Sequence, residues 1–183
     1  MTSVRLPEKF YFAALEKSHD RSAFTSGDDG VDRWLKKRAR QARKKRLSIT
    51  RVLLEEPNTI AGYYTLAMGQ VNFDDLPHAY ARKLPSTLLP IITLAWLGVD
   101  ERYHGKGLGG RILAQALADC HTTGQAMPFV AVLLDCANPG AKSFYQHYDF
   151  EELPGHPMTL MLPWSLLDAM MRRGVRGEKS GHL

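Results

Sequence analysis

The stretch Arg102-Tyr103-His104-Gly105-Lys106-Gly107-Leu108-Gly109-Gly110 has the residue types and spacing that suit chemistry. It joins an almost wholly apolar run, Ile91 to Val99, to a helical pattern of Leu108, Ile112, Leu113, Ala116, Leu117 and Cys120. The first N–H groups of a helix have no partner within it and carry partial positive charge. Glycine lets the backbone approach a ligand closely and adopt positive φ. Gly105, Gly107, Gly109 and Gly110 at a strand-to-helix junction therefore form a cradle for a pyrophosphate. Arg102, His104 and Lys106 are placed to add side-chain charge. The plain alternative is a tight turn with its basic residues in solvent.

Several phosphate ligands can be separated by pattern. No GxxxxGK[ST] occurs, so a Walker-type nucleotide loop is excluded. Gly105-x-Gly107-x-x-Gly110 does match the dinucleotide fingerprint, and Asp135 ends the next apolar run where a ribose-binding acid would stand. Five residues separate Val99 from Gly105, which is loose for that turn, and too little chain follows Asp135 for a second mononucleotide-binding half.

The surrounding elements must hold this loop in place. Leu6 to Phe12 reads as a first strand. Asp28 to Arg46 reads as a helix capped by Asp28 or Asp29, with a thin apolar stripe of Val31, Trp34, Leu35, Ala39 and Ala42. Leu47 to Leu54 and Thr59 to Met68 flank the turn Glu55-Glu56-Pro57-Asn58 and predict a β-hairpin. Val71 to Leu89, with Pro77 and Pro85, is a long connection. Ile91 to Val99 and Phe129 to Leu134 predict strands buried on both faces. Ala141 to Tyr148 predicts a short helix, Phe150–Leu153 and Met158–Leu162 a final strand pair, and Pro163 the opening of a last helix through Arg173. The order predicts an α/β (α+β) fold, a mixed central sheet flanked by helices, in one domain over residues 1–173 with a polar tail over 174–183.

Composition sets the class. The chain has 183 residues, 44% hydrophobic and 23% charged, as in an ordinary globular domain. No apolar run approaches the ~20 residues that span a bilayer, and Met1 to Lys9 lacks an apolar signal core, so a cytoplasmic protein with no membrane association is expected. Cys120 and Cys136 form no CxxC pair and fall in apolar periodic segments, so buried thiols are expected. No His pair has metal-ligand spacing, and no metal is expected.

Charge is concentrated. The net charge is +5, and Arg33 to Arg46 holds nine basic residues and no acidic one. Such a stripe suits phosphate contacts, which dominate nucleic-acid affinity. A solvated helix face is the bland reading.

Arg102-x-x-Gly105-x-Gly107 resembles the Arg/Gln-x-x-Gly-x-Gly/Ala signature of the GNAT acetyltransferase superfamily. Asn138-x-x-Ala141-x-x-Phe144-Tyr145, followed by Tyr148-Asp149-Phe150, resembles its second signature, except that the family usually has glycine where Asp149 stands. The resemblance implies the GNAT fold and acetyl-CoA as co-substrate. It implies coenzyme contacts from Leu97, Gly98 and Val99, from Arg102, His104, Gly105, Lys106, Gly107, Leu108, Gly109 and Gly110, and from Asn138, Ala141 and Phe144. Backbone N–H groups near Gly98 would bond the thioester carbonyl, glycine there allowing close approach, and Tyr145 would be the general acid.

The resemblance extends to the GNAT toxins of bacterial toxin–antitoxin pairs. It rests on Val31-Asp32-Arg33-Trp34-Leu35 with Ala39 and Ala42, on Ile60-Ala61-Gly62-Tyr63-Tyr64-Thr65-Leu66-Ala67, and on Leu84-Pro85 with Pro90. It implies aminoacyl-tRNA as substrate, with Arg40, Arg43, Lys44 and Lys45 as tRNA contacts, a ribbon-helix-helix antitoxin as partner, and a homodimer. Two alternatives stay open: acetylation of a protein or small-molecule amine, and a non-enzymatic module that senses acetyl-CoA or binds nucleic acid.

Overall fold

The structure, a computed structural model, describes residues 4–179, with side chains described as far as Arg173. Seven strands form one mixed sheet in the order β1-β2-β3-β4-β5-β7-β6. The strands are β1 (Phe10–Ala14), β2 (Ile49–Glu55), β3 (Thr59–Asn72), β4 (Leu88–Val99), β5 (Ala131–Asp135), β6 (Glu151–Leu153) and β7 (His156–Pro163). The helices are α1 (Asp29–Arg33), α2 (Ala39–Lys44), α3 (His78–Ala81), α4 (Leu108–Ala126), α5 (Pro139–Gln146) and α6 (Trp164–Lys179). The expected α/β class is thus observed.

The chain divides into two compact units, one holding residues up to Ala67 with Leu94–Leu117, the other Met68–Thr93 with Ala118 onward. In the first, β1 pairs antiparallel with β2 and β2 with β3, the latter through a bulge between Leu53 and Leu54. The expected hairpin is present. Its core gathers Leu15, Phe24, Leu35, Ala39, Val52, Leu54, Ile60 and Tyr63. The first strand lies later than Leu6–Phe12, because Phe10 to Ala14 is the stretch that finds register against Glu55 to Arg51.

The helix expected over Asp28–Arg46 is not continuous. Asp28 caps it, its Oδ1 accepting from the N–H groups of Gly30 and Val31 at 2.8 and 3.0 Å. A π-helical turn, Trp34–Arg38, then separates α1 from α2. Leu35, Ala39 and Ala42 are buried, so the apolar stripe holds. A 3.6-residue period cannot reveal a five-residue turn that widens the helix locally.

In the second unit, β4 runs parallel to β5 over Ile91↔Ala131, Ile92↔Val132 and Thr93↔Leu133, and β5 runs antiparallel to β7. Val71, Leu76, Ala81, Leu89, Ile91, Ala131, Leu133, Leu153 and Met161 form its core. The connection expected over Val71–Leu89 is largely structured. β3 continues to Asn72, a 3₁₀ turn covers Phe73–Asp75, α3 follows, and β4 begins at Leu88. Leu76, Ala81 and Leu89 are buried here, which a prolines-and-polar reading misses. Pro163 ends β7 rather than opening the last helix, and α6 continues past Arg173 to Lys179. Residues 180–183 of the expected tail lie outside the described residues. Both cysteines are buried, as expected.

Asp149 takes φ of 63°, the left-handed conformation that favours glycine. The N–H of Asp149 donates to the carbonyl of Gln146 and that of Phe150 to the carbonyl of Tyr145. These two bonds, with a left-handed residue between them, close α5 as a Schellman cap. The hydrophobic contact that accompanies such a cap is present, with the rings of Tyr145 and Phe150 edge-on at 5.8 Å. The family glycine is thus replaced while the turn is kept. Relief of left-handed strain, about 1–2 kcal/mol, outweighs the ~0.5–1 kcal/mol of extra chain entropy in glycine. Asp149→Gly is therefore expected to raise Tm by about 2 °C in a calorimetric scan, with activity unchanged.

Candidate active site

Within the first unit, the loop after β4 is held from below. Asp100 is fully buried at its start. Its carboxylate accepts from the N–H groups of Arg102 and Thr25, both at 3.1 Å, and from Arg102 Nε and Nη2 at 2.7 and 2.9 Å. Burial pushes the Asp100 carboxyl up, but the bonds from Arg102 and Thr25 outweigh it and hold the group below its ordinary value of 3.8. The next anchor is Tyr103, buried under the loop, whose hydroxyl donates to Glu55 Oε2 at 2.5 Å. Burial and then the Glu55 carboxylate push its ionisation up to about 12. Lys106 Nζ lies 5.1 Å from the centre of the Tyr103 ring, within cation–π range.

Above these anchors, Gly105 and Gly107 take φ of 73° and 71°, and no atom lies within 4 Å of where a Cβ would stand on either. Positive φ at alternate residues leads directly into the first turn of α4, where Leu108, Gly109 and Gly110 carry N–H groups without intrahelical partners. Open space thus lies over backbone with helix-start polarity, and these residues fit a pyrophosphate.

The side chains behave differently from the sequence-based expectation. Arg102 is forked onto Asp100. His104 donates from Nε2 to the carbonyl of Val99 at 2.9 Å. Both side chains brace the loop instead of standing free beside it. Gly98 also has a different reason for being glycine. A Cβ there would stand 2.5 Å from Val31 Cγ1 and 3.1 Å from Tyr63 Cε1, so close packing of α1 on β4 requires it. The same holds for Gly62, whose Cβ would meet the Gly98 carbonyl at 2.7 Å.

Asp100, Glu55 and Thr25 carry no signal in the sequence reading above. The Asp100-x-Arg102 spacing was a usable clue, but Thr25 and Glu55 lie far away in the chain. Because the carboxyl of Asp100 is depressed in the folded state, it contributes stability above the ordinary aspartate value, and this is lost as pH falls through the folded value. Asp100→Asn is expected to lower Tm at pH 7 and to flatten the fall in Tm between pH 5 and pH 3, read by thermal scans across that range.

In the second unit, Asn138 caps α5, its Oδ1 accepting from the N–H of Ala141 at 2.9 Å. On the helix from this cap Phe144 and Tyr145 are in edge-on contact at 5.0 Å, and Tyr145 is also edge-on to Phe150 at 5.8 Å. Tyr145 is 9% exposed, yet among the described residues its hydroxyl has no protein hydrogen-bond partner. Burial, with the Cys136 thiol adding to it, pushes its ionisation well above the ordinary phenol value. The phenol is therefore fully protonated at neutral pH, its ring fixed and its proton uncommitted.

The third group expected from sequence lies on the irregular helix of the first unit. Arg33, Lys37, Arg38, Arg43, Lys44, Lys45 and Arg46 are exposed, with Lys36 and Arg40 partly so. Among the described residues none of the nine is in an ion pair. Arg40, Arg43 and Lys44, with Leu15, Glu16 and Lys17, line a cleft of about 520 Å³, and Arg43 also donates to the carbonyl of Leu15 at 2.8 Å. A neighbouring cleft of about 670 Å³ is lined by residues 17–22 with Lys36 and Lys37. Among the described residues no helix is long and apolar enough to cross a membrane.

Residues 48–152 match the family described as "Acetyltransferase (GNAT) domain", and the chain belongs to that family of acetyl-CoA-dependent acetyltransferases. It is 32% identical, over 81% of its length and 88% of the relative's, to the tRNA-acetylating toxin of Mycobacterium tuberculosis. Among solved structures, the toxin AtaT complexed with acetyl-methionyl-tRNAfMet is 21% identical with a TM-score of 0.83, covering 88% of this chain and 99% of that one. A mutant AtaT bound to the C-terminus of the antitoxin AtaR and acetyl-CoA is 19% identical with a TM-score of 0.75, covering 90% and 99%. Family membership sets aside the reading as a non-catalytic binding module.

Proposed function

We propose that this chain is a toxin that transfers the acetyl group of acetyl-CoA to the α-amine of aminoacyl-tRNA and thereby blocks translation. The observation that carries this reading is the basic outer face of the α1–α2 segment. Its nine cations have no carboxylate partners among the described residues, and a purely solvated helix would normally mix its charges. The likeness to the tRNA-acetylating toxin of Mycobacterium tuberculosis supports the same substrate.

Acetyl-CoA supplies an acyl group already activated as a thioester. The backbone of Gly105 to Gly110 and the start of α4 hold its pyrophosphate. The β4 register with β5 ends at Thr93, and the strand runs on to Val99. Leu97, Gly98 and Val99 line the thioester, and those of their backbone N–H groups that face its carbonyl donate to it as negative charge develops there. The attacking α-amine, with a pKa near 8, is partly neutral at working pH and needs no strong base. It forms the new C–N bond as the C–S bond breaks, Tyr145 gives its proton to the departing sulfur, and the proton released from the nitrogen returns through solvent to restore the phenol. Asn138 sets the start of α5, and the family resemblance assigns Ala141 and Phe144 on that helix to the coenzyme. Arg40, Arg43, Lys44 and Lys45 hold the tRNA backbone.

By the same reading the protein is cytoplasmic, forms a homodimer and is neutralised by a ribbon-helix-helix antitoxin. The AtaT complex with the C-terminus of AtaR supports an antitoxin tail as partner. A cell-free translation reaction tests the whole reading. Added protein is expected to stop synthesis when acetyl-CoA is present and to leave it running when acetyl-CoA is omitted. Continued synthesis in both conditions contradicts a translation-blocking role.

A further inference from the structure

Trp34 and Trp96 stack nearly parallel, their ring centres 5.3 Å apart and their planes 15° from one another. Both rings are only partly buried, at the border of the first unit's core. We propose that this indole pair is the apolar wall of the acceptor subsite, against which the side chain of the aminoacyl group lies, so that the enzyme prefers tRNA charged with apolar amino acids. The inference rests on the aminoacyl-tRNA reading and adds the class of amino acid.

Trp96 immediately precedes Leu97-Gly98-Val99, the backbone assigned to the thioester carbonyl. A strand rises about 3.3 Å per residue, so Trp96 is attached to the strand within ~10 Å of the backbone at which the amine attacks. Leu94, Trp96 and Gly98 share one face of β4. On that face Val31 fills the space at Gly98, and the Gly30 Cβ position would be 3.6 Å from Trp96 Cζ3. The α1 segment therefore closes this face beside Trp96, and Trp34, the next residue after α1, completes the wall.

The Trp34 ring is also held by its polar edge. Trp34 Nε1 donates to Thr65 Oγ1 at 3.0 Å, and Thr65 Oγ1 is 2.8 Å from Thr50 Oγ1. Both threonines are buried. The polar edge of the indole is thus satisfied inward, and the surface left over is apolar. Tyr63 fixes the backbone beside it, its hydroxyl donating to the Val31 carbonyl at 2.7 Å. Trp34 is also the first residue of the π-helical turn, an irregularity that concentrates at functional positions.

The charge nearby contrasts with this apolar surface. Arg33, adjacent to Trp34 in the chain, and Lys37 and Arg38, one helical turn on, are exposed. A tRNA backbone drawn to those cations brings its charged 3′ end to a neutral aromatic surface. Indole faces favour apolar groups and offer nothing to a carboxylate.

The test is kcat/KM for acetylation of methionyl-, leucyl-, phenylalanyl-, glycyl- and aspartyl-tRNA by the parent, Trp96→Ala, Trp96→Phe and Trp34→Phe. Ratios between two substrates with one enzyme preparation do not depend on the fraction folded. The parent is expected to favour at least one apolar aminoacyl-tRNA over the glycyl and aspartyl forms by about tenfold or more. Trp96→Ala is expected to cut that ratio at least ~10-fold, and Trp96→Phe to keep most of it. Trp34→Phe, which loses the bond to Thr65, is expected to fall between them. A parent without apolar preference overturns the proposal. So does a Trp96→Ala enzyme that loses activity equally on all five, which would place the stack under the terminal adenosine common to every tRNA. No acetylation of any charged tRNA overturns the underlying reading itself.

Discussion

Tyr145→Phe is expected to lower kcat by about 10²–10⁴-fold, the range for losing a positioned general acid. KM for acetyl-CoA and Tm are expected to change little. The separation follows from the structure. The ring carries the contacts to Phe144 and Phe150, while the hydroxyl has no protein partner among the described residues. Removing that oxygen costs no internal hydrogen bond, so a large effect on turnover is chemical. Steady-state kinetics with a free-thiol readout, beside a thermal scan, check both halves. A Phe enzyme with parental kcat removes Tyr145 from the mechanism.

Replacing Arg40, Arg43, Lys44 and Lys45 together by alanine is expected to weaken tRNA binding strongly while leaving acetyl-CoA binding as it was. Each cation–phosphate pairing removed lowers the slope of log affinity against log salt by about 0.7–0.9. Four such pairings therefore account for about 3 of the slope, and at low salt the fall in affinity spans orders of magnitude. Lys44 and Lys45 are exposed and Arg43 gives up one bond to a carbonyl, so stability should barely move. Filter binding from about 50 to 200 mM salt measures it. An unchanged slope makes the helix a solvated face, whatever the enzyme acetylates.

These two predictions use residues that were legible in the sequence for different reasons. Tyr145 was legible through a motif, Asn138 to Tyr145, whose spacing the cap and helical turn of α5 preserve. The basic helix was legible through composition. Its π-helical turn was not, because the buried positions Leu35, Ala39 and Ala42 fit an ordinary helical stripe. The glycine loop was readable as a cradle, and Gly105 and Gly107 adopt the positive φ that the reading required. What supports the loop was hidden, since Asp100 meets Thr25 and Tyr103 meets Glu55 only after the chain has folded. The same long-range packing sets Gly98 against Val31 and bonds the Arg102 and His104 side chains back onto the loop and its strand. Asp149 shows the converse. A departure from the family's glycine left the left-handed turn in place, because aspartate tolerates that conformation better than most residues.

The acceptor can be identified by following the acetyl group itself. Radiolabelled acetyl-CoA is incubated with the protein and a pool of charged tRNA, with uncharged tRNA and a basic peptide in parallel. Label is expected on charged tRNA alone, released by mild base as an N-acetylated amino acid. Label on the peptide, with none on charged tRNA, contradicts that expectation.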